Sequence, residues 1–167
     1  GAGKTYAAYM GPLASVLHEC QVLAKTAPSH TARKAKSTPP LSGIRILYIT
    51  PLRAVSRDIE AALKVPVHDL CPGLLVESRT GDTKQSIRTK QRDRLPHVLV
   101  TTPESLSLLL SRETAKEIFS TLNAVIIDEW HELLSTKRGT QTELALSRLR
   151  HFAPKLTTWA LSATLSN

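Results

Sequence analysis

Two hydrophobic patterns alternate along the chain. Short aliphatic runs at residues 44–50 (IRILYIT), 74–78 (LLVES), 97–102 (HVLVTT) and 124–128 (AVIID) predict strands, and residues 157–164 (TTWALSAT) predict a closing one. Several are apolar at successive positions, without alternation, as expected of strands covered on both faces. Between them lie stretches with helical spacing, at about residues 5–23, 52–64, 84–94, 103–110 and 142–152. In the second of these Val55, Ile59, Ala62 and Leu63 fall on one face, while Arg53 and Arg57 point elsewhere. In the last, Leu146 and Leu149, followed by Ala153, mark the inner face. Gly11 and Pro12 are expected to disturb the first helix. Residues 25–43, rich in Pro, Ser, Thr and Lys, predict a mobile surface loop. Strand and helix alternating at this spacing predict an α/β domain, with a mostly parallel, twisted sheet and helices on both faces.

One strand ends abruptly in chemistry. In AVIIDEWHELL, residues 124–134, the aliphatics Val125, Ile126 and Ile127 give way to Asp128, Glu129, Trp130 and His131. The tips of parallel strands are where α/β folds place ligands, although an acidic pair alone is more simply a strand running out into solvent. The opening residues, GAGKT, change the balance. Gly1, Ala2 and Gly3 are small enough for backbone N–H groups to curl around a phosphate at a helix N-terminus. Lys4 is placed to reach the outer phosphates of a nucleotide, and the Thr5 hydroxyl to ligate Mg²⁺. Asp128 then supplies the second Mg²⁺ ligand and Glu129 polarises the attacking water. Successive residues at a strand tip point in different directions, so adjacent carboxylates can divide these roles. The full loop pattern requires a further upstream Gly and a preceding strand. The expectation is therefore a sheet lacking its N-terminal strand, in a fragment cut within the phosphate loop.

Composition narrows the partners. The 22 Lys and Arg against 14 Asp and Glu give a net charge of +8, which favours a polyanion through counterion release. Aromatic residues make up only 4%, too few for a base-stacking platform. Cys20 and Cys71 stand in no metal-ligand spacing and read as reduced, partly buried thiols. With no membrane-length apolar run and no signal-like start, a cytoplasmic protein without membrane contact is expected.

GAGKT, TPLRA, TGDT, TTPESL, DEWH and LSATLSN occur in the order of the first motor domain of superfamily-two helicases. TTPESL, DEWHELL, KRGTQTELALSRLR and LSATLSN resemble more narrowly the Lhr group, the large helicase-related proteins, and the DNA-ligase-associated DEXH-box helicases. The resemblance spans the whole chain, which reads as one RecA-like P-loop NTPase domain, residues 1–167. It implies an ATP-dependent helicase using ATP and Mg²⁺, moving 3′ to 5′ along single-stranded DNA in DNA repair. It also implies a second RecA-like domain that supplies an arginine finger, so that the fragment alone is expected to be inactive. A DNA ligase and a nuclease are its implied functional associates.

The same resemblance assigns further residues. His131 is implied to couple hydrolysis to movement through Ser162, Ala163 and Thr164. Thr50, Pro51 and Arg53, Thr80 and Gly81, and Thr102, Pro103 and Glu104 match the segments that hold the nucleic-acid backbone. Thr102 followed by Pro103 is also a good helix start whose free N–H groups suit a phosphate. Trp130 is assigned to packing. A stripe of Lys84, Arg88 and Arg92 is more simply a solvated helix face than a nucleic-acid track. Two rival readings stay open: a related RNA helicase, and a non-catalytic nucleotide- or nucleic-acid-binding module.

Overall fold

The computed structural model describes residues 2–26, 41–134 and 136–162. Strands β1 (Ile46–Ile49), β2 (Val76–Arg79), β3 (Val98–Thr101), β4 (Ala124–Ile127) and β5 (Thr157–Ala160) form a parallel sheet in the order β2-β3-β1-β4-β5. Helices α1 (Ala2–Thr26), α2 (Ser56–Leu70), α3 (Gln85–Asp93), α4 (Pro103–Leu110), α5 (Ala115–Phe119), α6 (Trp130–Leu133) and α7 (Lys137–Phe152) make the connections. Among the described residues no helix is long and apolar enough to cross a membrane.

Because side chains alternate along each strand, the sheet feeds two cores. Ile46, Tyr48, Val98, Val100 and Ile126 pack with Tyr9, Leu13 and Val16 of α1 and with Ile59, Leu63 and Val67 of α2. Leu47, Ile49, Leu99, Val125 and Ile127 pack on the other face, with Leu106 and Leu109 of α4, Phe119 of α5, and Leu146 and Leu149 of α7. Burial on both faces explains why these strands carry no polar alternation.

Register decides what meets at the carboxyl edge. Ile49 pairs with Thr101 and Ile127, Arg79 with Thr101, and Ile127 with Ala160. The next residue of each strand therefore emerges beside its neighbours, bringing Thr80, Thr102, Thr50, Asp128 and Leu161 onto one rim. The N–H groups of Thr50, Asp128 and Leu161 continue the ladder to Thr101, Ile49 and Ile127 at 2.9, 2.8 and 2.8 Å.

Several elements depart from the sequence expectation. Helix α1 runs unbroken through Gly11 and Pro12. Leu13 and Val16, completely buried beyond the proline, anchor that segment to the sheet, and their burial outweighs the local penalty. Helix α2 begins at Ser56 rather than residue 52, because the Ser56 hydroxyl donates to the Arg53 carbonyl at 2.6 Å and closes a turn first. Arg53 consequently sits in that turn. Helix α7 starts at Lys137, five residues early, where Thr136 accepts from the Gly139 N–H at 3.1 Å. Of the expected mobile loop, residues 27–40 lie outside the described residues.

His97 joins three segments. Its Nδ1 accepts the Leu75 N–H at 2.9 Å and its Nε2 faces the Leu41 carbonyl at 3.0 Å, which requires a neutral ring protonated on Nε2. Burial holds its pKa below the usual histidine range, against the Leu41 hydrogen bond, with Arg94 and Arg45 adding to the depression. Cys20 and Cys71 are free thiols, Cys20 buried and Cys71 half-buried.

Candidate nucleotide and nucleic-acid site

The N-terminus of α1 and the tip of β4 meet at one hydroxyl. Tyr48, in the middle of β1, donates to Asp128 Oδ2 at 2.9 Å and lies 3.5 Å from Thr5 Oγ1. Burial raises its phenol far above the ordinary tyrosine range; the Thr5 contact works the other way, and Asp128 and Glu129 add to the rise. Tyr48 is thus a neutral donor to the carboxylate. Sequence reasoning missed it. The available signal was an aromatic hydroxyl in an otherwise aliphatic run, two residues before a strand tip.

Asp128 uses both oxygens, since Oδ1 accepts the N–H of Glu129 at 3.0 Å. Glu129 adopts φ +46° and ψ +47°, and it is the one non-glycine residue with positive φ among the described residues. A left-handed conformation costs a bulky residue about 1–2 kcal/mol, and such strain concentrates at functional turns. It reverses the chain between β4 and α6, so that Glu129 and Asp128 do not project alike. The turn is held by the Trp130 N–H, which donates to Leu161 at 2.8 Å. Trp130 itself packs half-buried against the α4/α7 core.

His131, in the first turn of α6, reaches two partners through one nitrogen. Nδ1 lies 3.4 Å from Glu129 Oε2 and 3.1 Å from Ser162 Oγ. The structure thus joins the turn after β4 to the segment after β5. Gly1, Ala163 and Thr164 lie outside the described residues. Ala2 and Gly3 open α1, Lys4 is exposed, and the first turn contains no acidic side chain.

The donor set suits Mg²⁺ bound together with a nucleotide. Thr5 and Asp128 offer oxygen ligands beside a helix N-terminus, and Mg²⁺ characteristically takes one or two protein oxygens and completes its shell with phosphates and water. Among the described residues no group of three or more His, Cys, Asp or Glu side chains is placed to hold a metal.

The other matched segments occupy the rest of the rim. Thr102 caps α4, accepting the Ser105 N–H at 3.4 Å, with Pro103 in the first position. Thr50, Thr102 and Pro103 are themselves buried, as are Pro51 and Thr80. Of the matched residues, Arg53 and Gly81 are exposed and Glu104 is half-buried. A Cβ on Gly81 would lie 3.2 Å from the Arg53 guanidinium, so glycine allows this close approach. Arg88 clamps the turn: Nε donates to the Thr83 carbonyl at 2.9 Å, and Nη2 to those of Thr80 and Gly81 at 3.0 and 2.8 Å. The basic stripe is therefore divided. Arg88 holds the turn, while Lys84 faces an open groove of about 860 Å³ between α2 and α3 that also contains Glu60, Glu77 and Asp82.

A parallel sheet carrying a helix N-terminus and an acidic turn on one rim is the architecture of RecA-like helicase domains, and comparison with known proteins agrees. The family model for DEAD/DEAH box helicases matches residues 1–167. The ATP-dependent helicase Lhr-Core of Methanothermobacter thermautotrophicus is 34% identical over 174 aligned positions, covering 99% of this chain and 18% of that protein. The Lhr helicase/uracil glycosylase of Escherichia coli is 35% identical over 159 positions, covering 89% of this chain and 10% of the relative. Among solved structures, the Mycobacterium smegmatis helicase Lhr bound to ssDNA and AMP-PNP superposes with a TM-score of 0.73 at 31% identity, covering 98% of this chain and 20% of that one. The DEAD-box helicase Mss116 bound to ssRNA shares the fold, with a TM-score of 0.69 at 20% identity, covering 98% of this chain and 30% of that one. The chain belongs to the DEAD/DEAH box helicases and is homologous to the Lhr-type ATP-dependent helicases. It spans at most about a fifth of those Lhr relatives.

Proposed function

We propose that this chain is the ATP-binding half of a helicase motor that moves 3′ to 5′ along single-stranded DNA and acts in DNA repair. The observation that carries the reading is the meeting of Thr5 and Asp128 at the Tyr48 hydroxyl, which joins the two segments a nucleotide-hydrolysing site needs. Lys4 neutralises the outer phosphates, and Thr5 and Asp128 hold Mg²⁺, which offsets the charge that builds up on the transferred phosphoryl group. Glu129 orients the attacking water and accepts its proton. His131 and Ser162 sense the state of that site and pass it to the movement of a second RecA-like domain. The rim formed by residues 50–54, 80–83 and 102–104 guides the nucleic-acid backbone.

The test is strand separation by the intact parent protein on duplexes with a 3′ or a 5′ single-stranded tail, built in DNA and in RNA. ATP-dependent unwinding of 3′-tailed DNA is expected. Preference for RNA would favour the RNA-helicase reading, and binding without nucleotide turnover would favour the non-catalytic module.

A further inference from the structure

Arg138 joins three segments that the sequence treats separately. Its Nε lies 2.6 Å from Glu104 Oε1, and its Nη1 donates to the Pro51 carbonyl at 3.3 Å. Glu104 is in the first turn of α4 after the tip of β3, and Pro51 follows the tip of β1. Arg138 is in the first turn of α7, and α7 is fixed to the carboxylate turn. The Thr136 hydroxyl donates to the Leu133 carbonyl at 2.7 Å while accepting the Gly139 N–H. A Cβ on Gly139 would fall 2.0 Å from that same carbonyl. Leu133 ends α6, the single turn that begins directly after Glu129. An unbroken set of short contacts therefore runs from Glu129 through α6 and Thr136 to Arg138, and from there to both strand-tip loops.

Stability alone is a poor reason for this bridge. The Arg138 and Glu104 side chains are 47% and 32% exposed, and pairs at that exposure contribute little. Glu104 is nevertheless held ionised: burial opposes its charge, but its own backbone N–H, the Thr102 hydroxyl and Arg138 together keep its pKa below the usual glutamate range. A carboxylate maintained as an anion also repels phosphate, so its most direct use is to fix the guanidinium.

We infer that Arg138 is a positioning residue through which the loops at Pro51 and Glu104 and the carboxylate turn at Asp128–Glu129 are held in register, so that nucleic acid on the rim accelerates ATP hydrolysis. The inference rests on the motor reading above. Arg138 touches neither nucleotide nor reacting atoms; it sets how firmly two sites move together.

The test measures ATP hydrolysis by the intact parent protein as a function of single-stranded DNA concentration, for wild type, Arg138→Ala, Arg138→Lys and Glu104→Gln. Arg138→Ala is expected to leave DNA-free turnover and the KM for ATP within twofold, and to lower the maximal stimulation at saturating DNA at least tenfold. Arg138→Lys, which keeps the charge but loses the forked geometry, is expected to recover part of that loss. Glu104→Gln is expected to reduce stimulation in the same direction, and its combination with Arg138→Ala to add little. If Arg138 were a phosphate contact instead, its removal would weaken DNA affinity and reduce the salt dependence by about one phosphate, with maximal stimulation intact; that result overturns the inference. Should Arg138→Ala fail to fold, Arg138→Lys and Glu104→Gln decide it, and full stimulation in both contradicts it. A wild type whose turnover ignores both DNA and RNA overturns the motor reading itself.

Discussion

The Tyr48 hydroxyl donates to Asp128 Oδ2 at 2.9 Å, across 80 residues of sequence, and lies 3.5 Å from Thr5 Oγ1. Tyr48→Phe keeps the buried ring and removes the hydroxyl's contacts with Asp128 and Thr5. A hydrogen bond to a charged group contributes about 1.5–3 kcal/mol, so with Asp128 free to turn, Mg²⁺-dependent ATP hydrolysis by the parent protein should fall roughly tenfold or more. Steady-state turnover checks this, with circular dichroism to confirm the fold. Unchanged turnover would mean that Asp128 is oriented by other means.

The 3.1 Å contact between Ser162 and His131 predicts uncoupling. Ser162→Ala and His131→Ala, separately and together, should reduce strand separation about tenfold while largely sparing DNA-stimulated hydrolysis. The double variant should be little worse than the singles, because each removes the same link. Parallel unwinding and turnover assays decide the matter. Equal loss of both activities would place the pair inside the hydrolytic site.

Gly139→Ala forces a Cβ onto the Leu133 carbonyl, 2.0 Å away. A backbone atom cannot yield as a flexible side-chain end can. Overpacking of this kind typically costs about 1–3 kcal/mol, so a clear fall in thermal midpoint is expected by differential scanning calorimetry. An unchanged midpoint would show that the α6–α7 junction is looser than described.

His97 gives a pH dependence of stability. Its native pKa is lowered by burial, whereas in the unfolded chain it titrates near the ordinary value of about 6.5. Above that value the ring is neutral in both states and contributes no slope. Below it the unfolded chain binds the proton first, and stability falls until the native pKa is passed. Denaturant midpoints at pH 7.5 and 5.5 should therefore drop more for wild type than for His97→Gln. An equal drop would assign the acid sensitivity elsewhere.

The central strands β1, β3 and β4 were legible in the sequence because burial on both faces leaves continuous aliphatic runs, and their tips followed from it. The placement of Asp128 and Glu129 just past the β4 run, and of Thr5 near the start of a helix, was legible because a continuous aliphatic run ends at Ile127 and small residues open the chain. Helix boundaries were less so: Pro12 lies inside a helix that tertiary burial sustains, and the start of α7 depends on a Thr136 cap that hydrophobic spacing does not reveal. Helix α5, five residues long, is too short to show a period. Tyr48 and Arg138 escaped for another reason. Each acts through partners far away in sequence, and only the register of β1, β3 and β4 brings those partners within reach.

The central claim is that Thr5, Asp128 and Glu129 form one hydrolytic site with divided roles, and paired binding and turnover measurements on the parent protein test it most directly. Glu129→Gln should bind Mg²⁺-ATP within a fewfold of wild type and lose hydrolysis by roughly a hundredfold or more, since the amide cannot accept the water's proton. Asp128→Asn should weaken Mg²⁺-ATP binding itself. Hydrolysis near the wild-type rate in Glu129→Gln, or equally poor binding by both variants, would contradict the account.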